Sequence, residues 1–257
     1  MLTILNNNII NNSPLEQFEI LYYFTLITNS NMFLMLALFF LSTLYIVYKK
    51  QVTWLPFFMN TWANLLEILN EQIIILIVRN LGVKIGQLYY SWILFSFLLI
   101  ATLNLIGMVP YAFTVTSHII VTFSLAFMFF IGINLRAIID QKFNYFNLFL
   151  PSGAPVVIRP FLVIIELISY IARVFSLSIR LFANMMAGHT LLKILIGFAF
   201  LISIQLQTTN WLISLLGLIP FFLVFIITFL EVAIAILQAY VFTVLLCLYI
   251  KDLYTAH

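Results

Sequence analysis

Long apolar windows without charged residues alternate with short polar segments along this chain. The first window, residues 20–48, contains no Asp, Glu, Lys or Arg and ends at Lys49 and Lys50. A helix needs about 20 apolar residues to cross the hydrocarbon core of a membrane. This window therefore predicts one membrane-spanning helix at 30–48.

A second charge-free window, residues 85–135, is long enough for two spans. Its apolar pattern is interrupted by Gly107-Met108-Val109-Pro110, and Gly and Pro close together mark a turn. We therefore predict a transmembrane hairpin whose two helices occupy 87–108 and 117–139.

The segment between the first span and the hairpin, residues 56–80, mixes apolar and polar side chains. Four of its polar residues recur at helical spacing and so share one face: Asn60, Asn64, Glu67 and Glu71. This pattern predicts an amphipathic helix on the membrane surface. A helix that covers other subunits explains the same pattern equally well.

Two segments after the hairpin are far longer than one span requires. They cover 161–201 and 210–250, and Pro151, Pro155 and Pro160 predict a loop in front of the first. At 1.5 Å per residue each helix is roughly 60 Å long, about twice the hydrocarbon thickness. We predict that both helices are steeply inclined and pack on each other.

Composition agrees with this pattern, because 65% of the residues are hydrophobic and only 7% are charged. Soluble domains carry about 25% charged residues, so a soluble enzyme and a disordered chain are excluded. The chain has eleven basic and eight acidic side chains, and this excess of three positive charges is too small to form a nucleic-acid-binding surface. One cysteine, Cys247, excludes an internal disulfide. The chain, residues 1–257, is predicted to be a single all-α membrane domain.

The few basic residues predict the orientation of the spans. They lie between the first span and the hairpin, after the hairpin, and at the chain's end: Lys49, Lys50, Arg79, Lys84, Arg136, Lys142, Arg159 and Lys251. The hairpin tip, about 109–117, has no Lys or Arg. By the positive-inside rule the basic segments face inside, and the N-terminus and the hairpin tip face outside.

Several ionisable and amide residues lie inside the two long helices, where a charge costs at least about 2.5–3.5 kcal/mol. Successive seven-residue steps drift by only about 20° around a helix. One stripe on the first long helix therefore comprises Glu166, Arg173, Arg180 and Asn184. His189 faces the other side of that helix, and Glu231 and Gln238 share a face on the last one.

A cation in mid-helix with polar groups on two faces suits two aqueous pockets that the cation separates. The positive charge of Arg180 would block a direct proton leak, because arginine stays charged even when partly desolvated. Carboxylate and imidazole groups in the pockets would take up and release protons. Structural explanations stay open: Arg180 could tie the helices together through Glu231 or a carbonyl, and Arg173 could pair with Glu166.

Four segments resemble subunit a of F-type ATP synthases, above all the mitochondrially encoded form. Residues 176–189, SLSIRLFANMMAGH, resemble its signature, and residues 231–242, EVAIAILQAYVF, resemble its final helix. Ser13-Pro14-Leu15-Glu16-Gln17-Phe18-Glu19-Ile20 resembles the start of the mature subunit, so residues 1–12 would be a short leader. The ending Tyr249-Ile250-Lys251-Asp252 is also similar.

This resemblance implies a fold and a site. The family has one N-terminal span, a surface helix, a hairpin and two long inclined helices against a rotating ring of c subunits. Arg180 matches the arginine that faces the ring carboxylates, and Glu166 matches a carboxylate on the matrix-side exit path. The half-channel open to the intermembrane space is matched by His189, Glu231, Asn184 and Gln238. Ser178 replaces the usual Gly before the arginine and would add a hydroxyl near the ring face.

The predicted function is that of the stator subunit that guides protons through two half-channels in the mitochondrial inner membrane. The candidate path comprises Arg180, Glu166, Glu231, His189, Asn184, Gln238 and Arg173. Expected partners are the c-subunit ring, other membrane-sector and peripheral-stalk subunits and lipid, with no nucleic acid and no cofactor. The chain has no phosphate loop or nucleophile constellation, so no catalytic step is expected of it alone.

Two other classes compete with this function. A self-contained secondary transporter would show inverted repeats and broken helices, but the two halves show no similarity and the Arg180 block has no counterpart. A passive anchor of a respiratory complex would need no buried ionisable path.

Overall fold

Five long helices make up the part of the fold that the structure describes. The structure, a computed structural model, describes residues 15–22, 28–54, 61–109, 112–142, 145, 159–206 and 218–255. The helices are α1 Asn29–Trp54, α2 Thr61–Gly107, α3 Ile119–Gln141, α4 Arg159–Leu206 and α5 Leu218–Thr255. Each contains a stretch long and apolar enough to cross a membrane. The predicted class, an all-α membrane protein, is confirmed.

Helix α5 lies at the centre of the packing, against both α2 and α4. Helix α3 packs on α4, and α1 packs on α2. Small residues let α5 approach its neighbours closely, since Ala235 and Ala239 lie one turn apart and are fully buried. The outer surface carries large apolar side chains such as Ile120 and Phe229, which are more than 70% exposed. This surface fits contact with lipid rather than water.

The described helices differ in extent from the predicted segments. Helix α1 continues six residues past the predicted 30–48, to Trp54, and α4 extends from Arg159 to Leu206 around the predicted 161–201. Helix α5 continues to Thr255, while the predicted start at 210 lies outside the described residues. The proposed leader 1–12 and nearly all of the predicted loop before α4 lie outside them as well. Both α4 and α5 are longer than the hydrocarbon core is thick. Their inclination remains a prediction.

Helix α2 joins the predicted surface helix to the first hairpin helix with a single interruption. At Gly82 the backbone has φ 75° and ψ 173°, which breaks the helix. That conformation is essentially restricted to glycine, because a Cβ collides with the backbone there. Before the break, Ile73, Ile77 and Leu81 are buried, whereas Glu67 and Glu71 are exposed. Ile74, Ile75 and Val78 are exposed as well, so the amphipathic character of this part of α2 and its place on the membrane surface remain predictions.

The second part of the turn between the hairpin helices, residues 113–117, is buried. A 3-10 helix, Val115–Ser117, leads into α3, and all three of its residues are at most 3% exposed. The turn contacts α1, α2, α3 and α4. Its close fit is visible at Gly107, where a Cβ would lie 2.8 Å from Cγ2 of Thr114. His118 follows the turn and stacks on Phe113, with their ring centroids 5.2 Å apart.

Substitution of Gly82 tests the backbone break. Nothing lies within 4 Å of a Cβ at Gly82, so Gly82→Ala acts through backbone strain alone, and we expect a loss of about 1–3 kcal/mol in the free energy of unfolding. The measurement is the thermal unfolding midpoint of the solubilised protein. Gly197→Ala is the matched control, because that site is regular helix with equally open space. Equal midpoints for the two variants would contradict the assigned strain.

His118 predicts a pH dependence of stability. Burial lowers the pKa of His118 below its ordinary value of 6.5, so the unfolded chain binds a proton more readily than the folded one. The stabilisation is complete above the unfolded pKa and is lost as pH falls through the folded pKa. We expect the unfolding midpoint to drop as the pH falls below the ordinary histidine pKa of 6.5, and to drop less in His118→Gln. An identical pH dependence in both proteins would refute this assignment.

Candidate functional site

The polar faces of α4 and α5 meet in the middle of the bundle. Asn184 of α4 donates a hydrogen bond from Nδ2 to Oε1 of Gln238 on α5, at 2.8 Å. Gln238 is only 5% exposed, and within the described chain its Nε2 has no hydrogen-bond partner. Two residues predicted from separate helices are thus in direct contact.

A small cavity lies beside this contact and contains the carboxylate of Glu231. Its volume is about 30 Å³, and its walls are Met108, Asn184, Met185, Gly188, His189, Glu231 and Ile234. Glu231 is 8% exposed, and neither of its carboxylate oxygens has a partner among the described residues. A water molecule needs about 10–15 Å³ of such space and two to four polar partners. The cavity is therefore large enough to hold water.

His189 lines the same cavity as Asn184, and its Nε2 likewise has no partner in the described part of the chain. The sequence predicted that His189 faces away from the stripe of Asn184. Five residues turn a helix by about 140° relative to the starting position, so the two side chains approach the cavity from its two sides. His189 and the stripe of Asn184 therefore face different directions, as predicted, but both side chains reach the same cavity.

Gly188 allows Glu231 to approach α4. A Cβ at Gly188 would lie 2.9 Å from Oε1 and 3.1 Å from Cδ of Glu231. Any side chain larger than hydrogen would push the carboxylate out of its position. The sequence marked this glycine only as part of a family signature, and its partner is 43 positions along the chain.

Asn104 is a site residue that the sequence analysis missed. Its Nδ2 donates to the carbonyl oxygen of Ala235 at 3.3 Å, and the side chain is completely buried. Its Oδ1 has no partner within the described residues. Asn104 lies one turn before Met108, and Ala235 follows Ile234, so both ends of this bond border the cavity. A lone amide in an apolar span was the available signal.

Arg173 belongs to an ion-pair cluster toward the start of α4. Its Nη1 lies 2.6 Å from Oδ2 of Asp252, and its Nη2 lies 3.9 Å from Oε1 of Glu166. The hydroxyl of Tyr249 donates to the carbonyl oxygen of Arg173 at 3.2 Å, and the guanidinium lies over the Tyr249 ring at 5.7 Å. Asp252 was not predicted as a site residue, because a charge at a helix end normally sets topology.

Arg180 is isolated by comparison. It is partly buried, and its guanidinium forms no ion pair or hydrogen bond with any described residue. The alternative in which Arg180 ties the helices together through Glu231 is therefore not observed. The neighbouring Ser178, expected near the ring face, is 1% exposed and donates to the carbonyl oxygen of Phe175 at 3.0 Å. Its hydroxyl thus lies inside the bundle.

These features define a polytopic helical membrane protein with buried ionisable groups, which at membrane depth mark ion paths. Within the described segments, no cluster of His, Cys, Asp and Glu is arranged to hold a metal. Residues 29–251 match the family model for the ATP synthase A chain. The chain therefore belongs to the ATP synthase A chain family.

Relatives named ATP synthase subunit a cover almost the whole chain. The protein from Chondrus crispus is 46% identical over 253 residues, which are 95% of this chain and 97% of that protein. The protein from Brassica napus is 43% identical over 95% of this chain and 97% of its own length. That from Acanthamoeba castellanii is 42% identical over 95% and 99%. The resemblance stated from the sequence is confirmed.

Family membership assigns the chain to the membrane sector, Fo, of an ATP synthase. The predicted location, a multi-pass protein of the mitochondrial inner membrane, is confirmed by this membership and by the five membrane-length helices. The roles of the individual residues remain predictions.

Gly188→Ala tests the approach of Glu231 to α4. The new methyl group would lie 2.9 Å from Oε1 of Glu231, so we expect the end of this side chain to shift and the rate of ATP synthesis by the assembled complex to fall several-fold. Gly197→Ala is the control, since a Cβ there meets nothing within 4 Å. Normal synthesis in Gly188→Ala, at normal assembly, would show that the position of this carboxylate is unimportant.

Proposed function

We propose that this chain is the stator of the rotary proton motor and guides protons through two half-channels to and from the carboxylates of a c-subunit ring. The observation that carries the proposal is the unpaired Arg180 between two groups of ionisable side chains on α4. Along the helix axis, Glu166 is about 21 Å before Arg180 and His189 about 13 Å after it. This spacing leaves room for two separate aqueous pockets on either side of Arg180.

The outer half-channel would end at the cavity between α4 and α5. Glu231 and His189 face it and can exchange protons with water. The Asn184–Gln238 hydrogen bond holds the two helix faces together beside them. Family analogy assigns these same four residues to the half-channel open to the intermembrane space.

Arg180 would separate this pocket from the exit path. A guanidinium keeps its charge when partly desolvated, so it repels a proton that moves directly from one pocket to the other. With no carboxylate partner in the described chain, it is available to attract each deprotonated carboxylate of the ring. Protons would then cross only by riding on the ring.

The exit path would pass Glu166, whose side chain is 43% exposed. Arg173 forms its close ion pair, at 2.6 Å, with Asp252, whereas its contact with Glu166 is longer, at 3.9 Å. Glu166 is thus held near a cation without being the main partner of that cation. Nucleotide chemistry would reside in partner subunits, and this chain would assemble with the c-subunit ring, other membrane-sector subunits and the peripheral stalk.

A self-contained secondary transporter is the alternative from another class. Such proteins bind substrate where helices are broken near the bilayer midplane. In the described residues of α4 and α5 no positive φ angle interrupts the helices beside the cavity, and this observation favours the stator.

Arg180→Ala is the decisive variant. We expect coupled ATP synthesis to fall to background while the complex still assembles, because protons would leak between the pockets or fail to leave the ring. Arg180→Lys should fail as well, since a desolvated ammonium loses its charge more readily than a guanidinium. The measurement is ATP synthesis in energised inner-membrane vesicles, with assembly checked by native electrophoresis.

Arg136→Ala is the matched arginine control. Arg136 forms only an exposed ion pair with Asp140 one turn away, and such pairs contribute little, so synthesis should stay normal. Normal synthesis in Arg180→Ala would sink the proposal. Copurification with a ring of small two-helix subunits would separate a stator from both a transporter and a passive anchor.

A further inference from the structure

The hairpin turn carries polar side chains that are buried inside the helical bundle. Thr114, Thr116 and Ser117 are between 1% and 5% exposed, although they lie in the connection between α2 and α3. Connections between helices usually run over the surface. Within a membrane, such backbone is tolerated only where protein buries it or where it lines a water-filled cavity.

Two polar atoms of this turn have no partner in the described chain, while their neighbours are satisfied. Thr116 Oγ1 and His118 Nε2 are buried without a hydrogen bond. By contrast, Ser117 Oγ donates to the carbonyl oxygen of Thr114 at 2.6 Å, and Thr122 Oγ1 donates to that of Ile119 at 3.1 Å. Unsatisfied buried polar atoms are rare and usually bind water.

The remaining unpartnered buried side-chain atoms of the described residues lie at or next to the Glu231 cavity. They belong to Asn104, His189, Glu231 and Gln238. The turn connects to that cavity in two ways. It packs against α4, which supplies one cavity wall, and against α2, whose end supplies Met108 of the opposite wall. The turn thus packs against the two helices that lead to cavity-lining residues.

We propose that the buried hairpin turn lines the water-filled entrance to the Glu231 cavity, and that Thr116 and His118 hydrogen-bond the water that delivers protons there. The proposal rests on the proposed function, because it names the route into the outer half-channel. It also rests on the predicted orientation in which the hairpin tip, free of Lys and Arg, faces outside.

Thr116→Val separates a water-binding role from a structural one. The substitution keeps the shape and removes only an unpartnered hydroxyl, so the complex should be as stable as wild type or more stable. ATP synthesis should nevertheless fall several-fold, because the entrance loses a hydrogen-bonding group. Thr122→Val is the control: it removes a satisfied hydroxyl from the same region, and synthesis should stay normal. Thr116→Val with wild-type synthesis would overturn the proposal.

Cysteine accessibility tests the water directly. In a Cys247→Ala background, Thr116→Cys should react with a small membrane-impermeant thiol reagent added outside at least about tenfold faster than Thr122→Cys, because a thiol reacts as the solvated thiolate. The modification should block ATP synthesis. An unreactive Cys at 116 would mean that protein, from this chain or a neighbouring subunit, fills the space, and the inference would be wrong.

The two proposals fail differently. If Arg180→Ala abolishes synthesis while both Thr116 variants behave like Thr122 variants, the stator stands and the entrance lies elsewhere. If Arg180→Ala leaves synthesis intact, the proposed function fails first, and reactivity at position 116 would then report only a water-filled crevice.

Discussion

The absence of water from the hydrocarbon core is the constraint on which this structure depends. Every buried polar group needs a partner from the protein or from enclosed water, because an unsatisfied one is costly. Helices satisfy the backbone, which explains why the described elements are helical apart from one isolated bridge between Tyr22 and Thr28. The buried polar side chains without a partner among the described residues are therefore informative. They concentrate around Glu231 and the hairpin turn, and beside Glu231 the packing leaves a cavity of about 30 Å³.

The contact between α4 and α5 shows how packing creates a site from ordinary residues. Gly188 removes a side chain where Glu231 needs room, and the hydrogen bond from Asn184 to Gln238 aligns the two helices beside it. The buried Ala235 and Ala239 bring α5 close to α2, so that Asn104 reaches the backbone of α5. All of these contacts require the helix backbones to lie close together. Replacing a small residue would change the position of a carboxylate without changing the charge of any group.

Much of the architecture was predictable because charge gaps and apolar length are local properties of the sequence. The two long helices, the hairpin and the ionisable residues within α4 all follow from spacing alone. What could not be predicted depends on contacts between distant segments. Asn104 is a single amide whose partner is 131 positions away, and Asp252 looked like a topology-setting charge until α5 brought it to Arg173. The apolar pattern could not predict that α1 continues past residue 48, because the last turns of that helix are mostly polar.

Arg173 and Arg180 show why a shared helix face does not imply a shared role. They are seven residues apart, so they point in nearly the same direction from α4. Arg173 lies opposite Asp252 near the end of α5 and forms a close ion pair. Seven residues further along α4, the antiparallel α5 presents Tyr249 and earlier residues, and no described carboxylate pairs with Arg180. The charge of a paired arginine is neutralised by its carboxylate partner, and the ion pair holds two helices together. An unpaired one retains its field and can attract an anion that arrives from outside the chain, so in the proposed motor the missing partner of Arg180 is supplied by each passing ring carboxylate in turn.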